Sequence, residues 1–226
     1  MRTILAIETS SELASAALLY QGQLLSEQSA GVQTHSQTLL PMVQKLLADA
    51  GVPLSQCDAV AFGAGPGSFT GVRTACGAAQ GLAFGLDIPV VPVVTLKAMA
   101  HGCREASGAS DVLVLLDARM EEVYWAQYRY ADGWQTVSEP AVSASVAVMS
   151  VGNPVACGNG LAVYATALSE RSFFVNAKPD IVPHACDIAK LAQTEFNPVA
   201  ACHAQPIYLR NKVAMTTAER LAKAAA

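Results

Sequence analysis

Charge is scarce in this chain. Asp, Glu, Lys and Arg make up 14% of its 226 residues, against 52% hydrophobic ones. That balance excludes a disordered tail and supplies enough apolar material for a core, with surface left over for a partner. Basic residues are not in excess either: fourteen Lys and Arg stand against eighteen Asp and Glu, for a net charge of −4, and they are scattered along the chain. An autonomous nucleic-acid binder would need them clustered. Long hydrophobic runs are missing as well. The stretch Ile88–Val94 falls well short of the roughly 20 residues of a membrane span. Glu8 and Glu12 interrupt what could have been a signal-peptide core. The expectation is a cytoplasmic protein with no membrane partner.

Clustered metal ligands and nucleophile motifs are equally absent. Cys57, Cys76, Cys103, Cys157, Cys186 and Cys202 contain no C-x-x-C pair and no neighbouring histidine set of the zinc type. They are expected to be reduced and mostly buried small hydrophobes. His35, His101, His184 and His203 form neither H-x-x-x-H nor H-E-x-x-H, so no metal site is predicted. His35, just before a helix, reads as a turn contact rather than a base. Ser68 lacks a G-x-S-x-G frame, and nothing nominates a hydrolase triad.

What the chain does have is α/β punctuation. Thr3–Ile7 reads as a buried strand, and Ala14–Tyr20 and Gln23–Ser29 complete a meander turned at Gln21-Gly22. After Gly31, Leu39, Leu40, Val43, Leu46, Leu47 and Ala50 recur at helical spacing, with Gly51 as a stop. A strand at Ala59–Phe62, a helix at Val72–Leu86, a strand at Val90–Val94 and a helix from about Leu96 follow. The serine- and glycine-bearing stretch Gly102–Ser110 is the best boundary, because the pattern then restarts. Val112–Leu116 is a strand, Asp117–Glu121 a turn, Val123–Tyr130 a strand, and Asp132-Gly133 turns the chain into Trp134–Val137. Two similar α/β halves, each opening with a meander, fit the duplicated actin-like arrangement.

The segment from Phe62 to Arg73 holds glycines at 63, 65, 67 and 71 and a proline at 66 between a strand and a helix. Such a turn aims helix-start amides at whatever lies above it, which suggests a phosphate cradle. No Gly-Lys-Ser/Thr follows, however, and the dinucleotide spacing is one position out. Anion binding and a loop that merely lets backbones approach closely both stay open. The candidate anion-binding set is Glu8, Thr9, Ser10, Gly65, Gly67 and Ser68. The helix behind the loop carries Ala75, Cys76, Gly77, Ala78, Ala79, Gly81, Ala83 and Gly85. Each interior glycine costs roughly 1 kcal/mol against alanine, so close packing on more than one side is expected. Asp117-Ala118-Arg119 is either a structural ion pair or part of a cleft wall.

Five stretches in this order carry a family resemblance: Ile4-Leu5-Ala6-Ile7-Glu8-Thr9-Ser10, His35-Ser36, Gly63 to Arg73, Asp117-Ala118-Arg119 and Tyr208-Leu209-Arg210. They are similar to the TsaB (YeaZ) family, the dimerisation subunit of the bacterial tRNA threonylcarbamoyladenosine machinery, and the resemblance covers most of the chain. The Gly-Pro-Gly-Ser-Phe-Thr-Gly-Val-Arg match is specific; the two tripeptides are weak alone. The resemblance implies an α/β, actin-like (ribonuclease H-like) fold of two similar lobes, each a mixed sheet with helices. The first lobe, residues 1–105, carries partner-binding helices. The second, smaller lobe is residues 106–226, with a C-terminal helix packing back on the first.

The resemblance also implies a non-catalytic scaffold or activator, which binds the catalytic paralogue TsaD in a complex that adds threonylcarbamoyl to the adenosine next to the anticodon. TsaE is a further implied partner, tRNA is reached through the complex, and the chain alone is a homodimer. TsaD holds its metal through an H-x-x-x-H helix, whereas Leu96–His101 keeps a single histidine. Metal binding and transfer by this chain alone are therefore not expected. No cofactor is required, although the fold admits ATP or ADP at a lobe or subunit interface. The interface is expected to draw on Leu39, Leu40, Val43, Leu46 and Leu47 of one helix and Val72, Ala75, Ala78, Ala79 and Leu82 of the next. The glycine loop then becomes a tight connection that positions the second of these. The rival classes are an ATP-binding actin-like ATPase or kinase and, from an old family label alone, a peptidase.

Overall fold

The structure, a computed structural model, describes residues 1–30 and 35–210. Gly31 and residues 211–226, which the sequence reading placed before the first helix and in the second lobe, lie outside the described residues.

Strand β1 (Ile4–Glu8) is buried along its whole length. It lies at the centre of a five-stranded sheet of order β3-β2-β1-β4-β5, with β2 at Leu13–Tyr20, β3 at Gln23–Ala30, β4 at Ala59–Gly65 and β5 at Val90–Val94. It runs antiparallel to β2 (Ile4 opposite Leu19) and parallel to β4 (Ile4 opposite Ala59). A strand covered on both faces has no polar side to show, hence the unbroken apolar run Ile4–Ile7 before Glu8. Its residues alternate: Ile4 and Ala6 join one core, Leu5 and Ile7 the cores on the opposite face.

On the Leu5/Ile7 face, helix α1 (His35–Ala50) packs Met42, Val43 and Leu46 against β2, and α2 (Phe69–Leu86) packs Ala75, Cys76, Ala79 and Ala83 against Val60 and Phe62. Small side chains on α2 let it sit close to the sheet. The opposite face is covered by α3 (Thr95–Ser107) through Ala98, and by a late helix at Ala185–Thr194 through Ala185, Ile188, Ala189 and Ala192.

Helix α3 is shared. Its Leu96, Met99, Ala100 and Cys103 pack against Val112, Val114 and Leu116 of a second sheet, of order β8-β7-β6-β9. Here β6 is Asp111–Asp117, β7 Glu122–Tyr130, β8 Trp134–Ala144 and β9 Val155–Cys157. Strand β6 pairs antiparallel with β7 and parallel with β9, which repeats the relation of β1 to β2 and β4. Short helices α4 (Gly160–Val163) and α5 (Ala165–Leu168) close its outer face through Leu161 and Leu168. Ala185–Thr194 is then α6. The chain therefore crosses from the first sheet to the second and returns.

Several boundaries differ from the sequence reading. Gly63, Ala64 and Gly65 belong to β4, so the loop shrinks to Pro66-Gly67-Ser68. Helix α2 begins at Phe69 rather than Val72 because the Ser68 hydroxyl caps it, accepting from the Gly71 N–H. Strand β8 runs on through Pro140 to Ala144. It ends the order of its sheet, so a proline there costs no central ladder bond.

Candidate functional site

Glu8, at the end of β1, has no exposed surface. One carboxylate oxygen accepts from the Ser10 N–H at 2.5 Å, and the other from the Thr95 hydroxyl at 3.3 Å. Thr95 in turn accepts from the Gly65 N–H at 3.1 Å. Burial pushes the Glu8 carboxyl above its ordinary value, and hydrogen bonds from Ser10, Thr95 and Thr9 pull it partly back. The carboxylate lies directly over Gly63, where a Cβ would come 1.8 Å from Glu8 Oε2. Glycine is the one residue that leaves this space.

The next two residues interlock with the start of α2. The Thr9 hydroxyl donates to the Gly71 carbonyl at 2.7 Å, and the Ser68 N–H donates to the Ser10 carbonyl at 2.7 Å. A Cβ at Gly71 would lie 1.9 Å from the Thr9 carbonyl oxygen, and one at Gly67 would lie 2.6 Å from Ser10 Cβ. Three amides around the helix start are thus engaged at home: Ser68 on Ser10, and Gly71 and Val72 on Ser68. All six candidate anion-binding residues meet in this knot, where the buried Ser10 hydroxyl has no hydrogen-bond partner among the described residues.

A wider cleft of about 500 Å³ opens beside the knot, between the two sheets, and is lined by Ser10, Ser68, Asp117, Arg119, Asn159 and Arg210 among others. Its guanidinium groups are already paired. Arg119 reaches Asp117 at 3.3 Å and Glu12 at 3.2 Å, and Arg210 pairs with Glu122. Asp117 also accepts from the Tyr164 hydroxyl at 2.8 Å, and burial together with that bond pushes the Tyr164 phenol up to about 12. Asp117-Ala118-Arg119 is thus both an ion pair and a cleft wall.

Of the ten candidate interface residues, six are turned into the subunit. Leu39, Val43, Leu46, Val72, Ala75 and Ala79 are between 0 and 2% exposed and pack inside the lobe. Leu40 is 47% exposed, while Leu47, Ala78 and Leu82 are half-buried. The sequence reading missed the outermost part of α2. A Cβ added at Gly77, Gly81 or Gly85 would meet nothing within 4 Å, and Phe84 is 79% exposed. It also missed the cluster at the α2 start, where the Arg73 guanidinium stacks 3.6 Å over the Phe69 ring and Arg73 Nε donates to the Tyr208 hydroxyl at 2.7 Å. Its members lie in two of the matched stretches, Phe69 and Arg73 in the glycine loop match and Tyr208 in the Tyr-Leu-Arg match, but nothing local joins the two.

His35 and His101 make structural contacts. His35 Nε2 donates to the Ser11 carbonyl at 2.8 Å. His101 Nδ1 lies 2.9 Å from Asp187, joining α3 to α6. Among the described residues no group of three or more His, Cys, Asp or Glu could hold a metal ion. Cys57, Cys76, Cys103 and Cys157 are buried free thiols, Cys186 is half-buried, and Cys202 is exposed. No helix among the described residues is long and apolar enough to cross a membrane.

Two sheets, the second repeating the order of four strands of the first and joined to it through α3 around a cleft, define an actin-like protein of the TsaD type. The family model described as TsaD, tRNA N6-adenosine threonylcarbamoyltransferase, matches residues 23–224. Within that class the chain belongs to the TsaB (YeaZ) family of tRNA threonylcarbamoyladenosine biosynthesis proteins. It is 39% identical to TsaB of Haemophilus influenzae, covering 93% of this chain and 94% of that one. It is 37% identical to TsaB of Escherichia coli K12, over 93% and 96% of the two chains. YeaZ from Pseudomonas aeruginosa, a solved structure, superposes with a TM-score of 0.85 at 40% identity, over 92% of this chain and all of that one.

Proposed function

We propose that this chain is a non-catalytic scaffold and activator. It binds the catalytic paralogue TsaD through the α1–α2 face of its first lobe, within the complex that adds threonylcarbamoyl to the adenosine next to the tRNA anticodon. The observation that carries this reading is the uncovered side of α2. Three glycines with open space above them and an exposed Phe84 form a surface on which another helix can lie close. Glycines in mid-helix cost stability, and close approach of a partner gives them a use. The knot around Glu8 supports the same reading, because its carboxylate and three of its amides are bonded within the chain. TsaE is a further component, tRNA is met through the complex, and the chain self-associates when alone. All of this takes place in the cytoplasm, with no cofactor held by this chain.

Co-purification with TsaD, and tRNA modification measured with and without this chain, tests the reading. The variant Gly81→Arg should keep the monomer folded and abolish pairing on gel filtration. Ala79 is unsuitable for this purpose, being fully buried. An undiminished complex would remove α2 from the interface. ATP turnover by the isolated chain, lost in Glu8→Gln, would instead establish the ATPase or kinase class. A stoichiometric metal ion would revive the peptidase.

A further inference from the structure

Beyond α6 the chain returns along α2 and then leaves the first lobe. Val199 exchanges both backbone hydrogen bonds with Val90 at the edge of the first sheet. Gln80 donates to the carbonyls of Ala201 and Ala204, both at 3.0 Å, and the Cys76 thiol lies 3.6 Å from the Ala204 carbonyl. The Ile207 N–H donates to the Ala64 carbonyl at 2.7 Å, and Tyr208 receives Arg73. Arg73, Cys76 and Gln80 fall on one side of α2, next to the uncovered Gly77–Gly81–Gly85 stripe. Two residues beyond Tyr208, Arg210 crosses to the second lobe, pairs with Glu122 of β7 and lies 3.7 Å from the Met120 sulfur.

The turn that receives Arg210 is under backbone strain. Arg119, Met120 and Glu121 have φ values of 60°, 57° and 64°, three consecutive non-glycine residues in the left-handed region. Such conformations persist where surrounding contacts hold them. The contacts here come from both lobes: Glu12 on Arg119, and Arg210 against Met120 and Glu122.

We infer that Ala204–Arg210 is a strap linking the outer face of α2 to closure of the cleft. A partner seated on α2 holds the strap down and the lobes together, and a strap released from the second lobe weakens the partner's hold. The coupling is reciprocal, as any linkage between two sites must be. It rests on the assignment of α2 as the partner face.

Charge reversal at the crossing pair tests it in the full chain. Arg210→Glu and Glu122→Arg, each alone, should speed hydrogen exchange across residues 204–210 by about tenfold and weaken binding to the cognate TsaD by about fivefold. The double variant should restore both to near wild type. Saturation of the wild type with TsaD should slow exchange in the same segment. Singles that free the strap but leave TsaD affinity unchanged overturn the coupling and leave the partner reading standing. Singles that change neither quantity show that the pair is no latch and overturn it as well. Gly81→Arg with unchanged affinity removes the partner face itself, and the inference falls with it.

Discussion

The two halves of the molecule use one plan and finish it differently. In each, a first strand ends on a carboxylate (Glu8 or Asp117), turns back antiparallel, and is flanked on its other side by a parallel strand that leaves through glycines. Gly63 makes room for the Glu8 carboxylate. Gly158, at φ +111°, passes so near β6 that a Cβ would lie 2.2 Å from the Leu115 carbonyl oxygen. After the first exit comes a helix of 18 residues; after the second, one of four. Glu8 is sealed in and bonded to one amide and one hydroxyl. Asp117 faces the cleft and holds Arg119 and Tyr164. The same unit has become the mounting of a long, uncovered helix in one half and a cleft wall in the other.

The comparison is broken most severely at the close approaches. Gly71→Ala would drive a methyl group into the Thr9 carbonyl, and Gly158→Ala would do the same to Leu115. Backbone atoms cannot swing aside as a side chain can, so each variant should lose about 3 kcal/mol or more in urea unfolding. A loss below about 1 kcal/mol in either would show that half to be loosely fitted.

How much of this was legible beforehand follows from the kind of signal each element leaves. Strands β1, β4 and β5 were readable because burial on both faces writes an unbroken apolar run. The inclusion of Gly63–Gly65 in β4 was not, since the glycines signalled a loop and the reason for them, the Glu8 side chain, lies 55 positions earlier. Helix α6 left little trace because its cap is the His184 imidazole, which accepts from the Cys186 N–H, and not one of the usual Ser, Thr, Asp or Asn. In α2, apolar and small residues surround the axis, so the pattern carried no phase. Ala78 and Ala79 are the same residue type, yet the first is half-buried and the second sealed. The long-range grip of Gln80 on Ala201 and Ala204 has no local signature.

The glycines of α2 sharpen the comparison with a change of opposite sign. Gly77 meets nothing within 4 Å, so Gly77→Ala should stabilise the isolated chain by about 1 kcal/mol, the helix-propensity difference. The same methyl group would stand between α2 and a close-packed partner, and association with TsaD should weaken. Calorimetric unfolding and a binding titration on one sample separate the two effects. If stability and affinity rise together, the stripe is not a contact surface.

Glu8 gives a smaller effect that depends on pH. Its pKa is raised by folding from an ordinary 4.5, so the folded state resists ionisation. The group's contribution is fully present below 4.5 and is lost as pH climbs through the raised value, at about 1.4 kcal/mol for each pH unit between the two. Glu8→Gln should therefore match the wild type near pH 4 and exceed it at pH 7. A deficit of the same size at every pH would mean that the hydrogen bonds to Ser10 and Thr95, not the buried charge, decide the balance.

The smallest effect belongs to the outermost tie between the halves. Arg119 and Glu12 approach to 3.2 Å with side chains 74% and 87% exposed. Water screens such a pair, and holding two long side chains still offsets most of the attraction. Arg119→Ala should cost no more than about 0.5 kcal/mol at low salt and less as salt is added. It keeps a non-glycine residue at the left-handed φ, so backbone strain is unchanged and the measurement isolates the ion pairs. A loss of about 2 kcal/mol or more, insensitive to salt, would mean that Asp117 depends on this guanidinium as closely as the buried knot depends on Glu8, and the contrast between a self-contained knot in one half and a cleft wall in the other would fail.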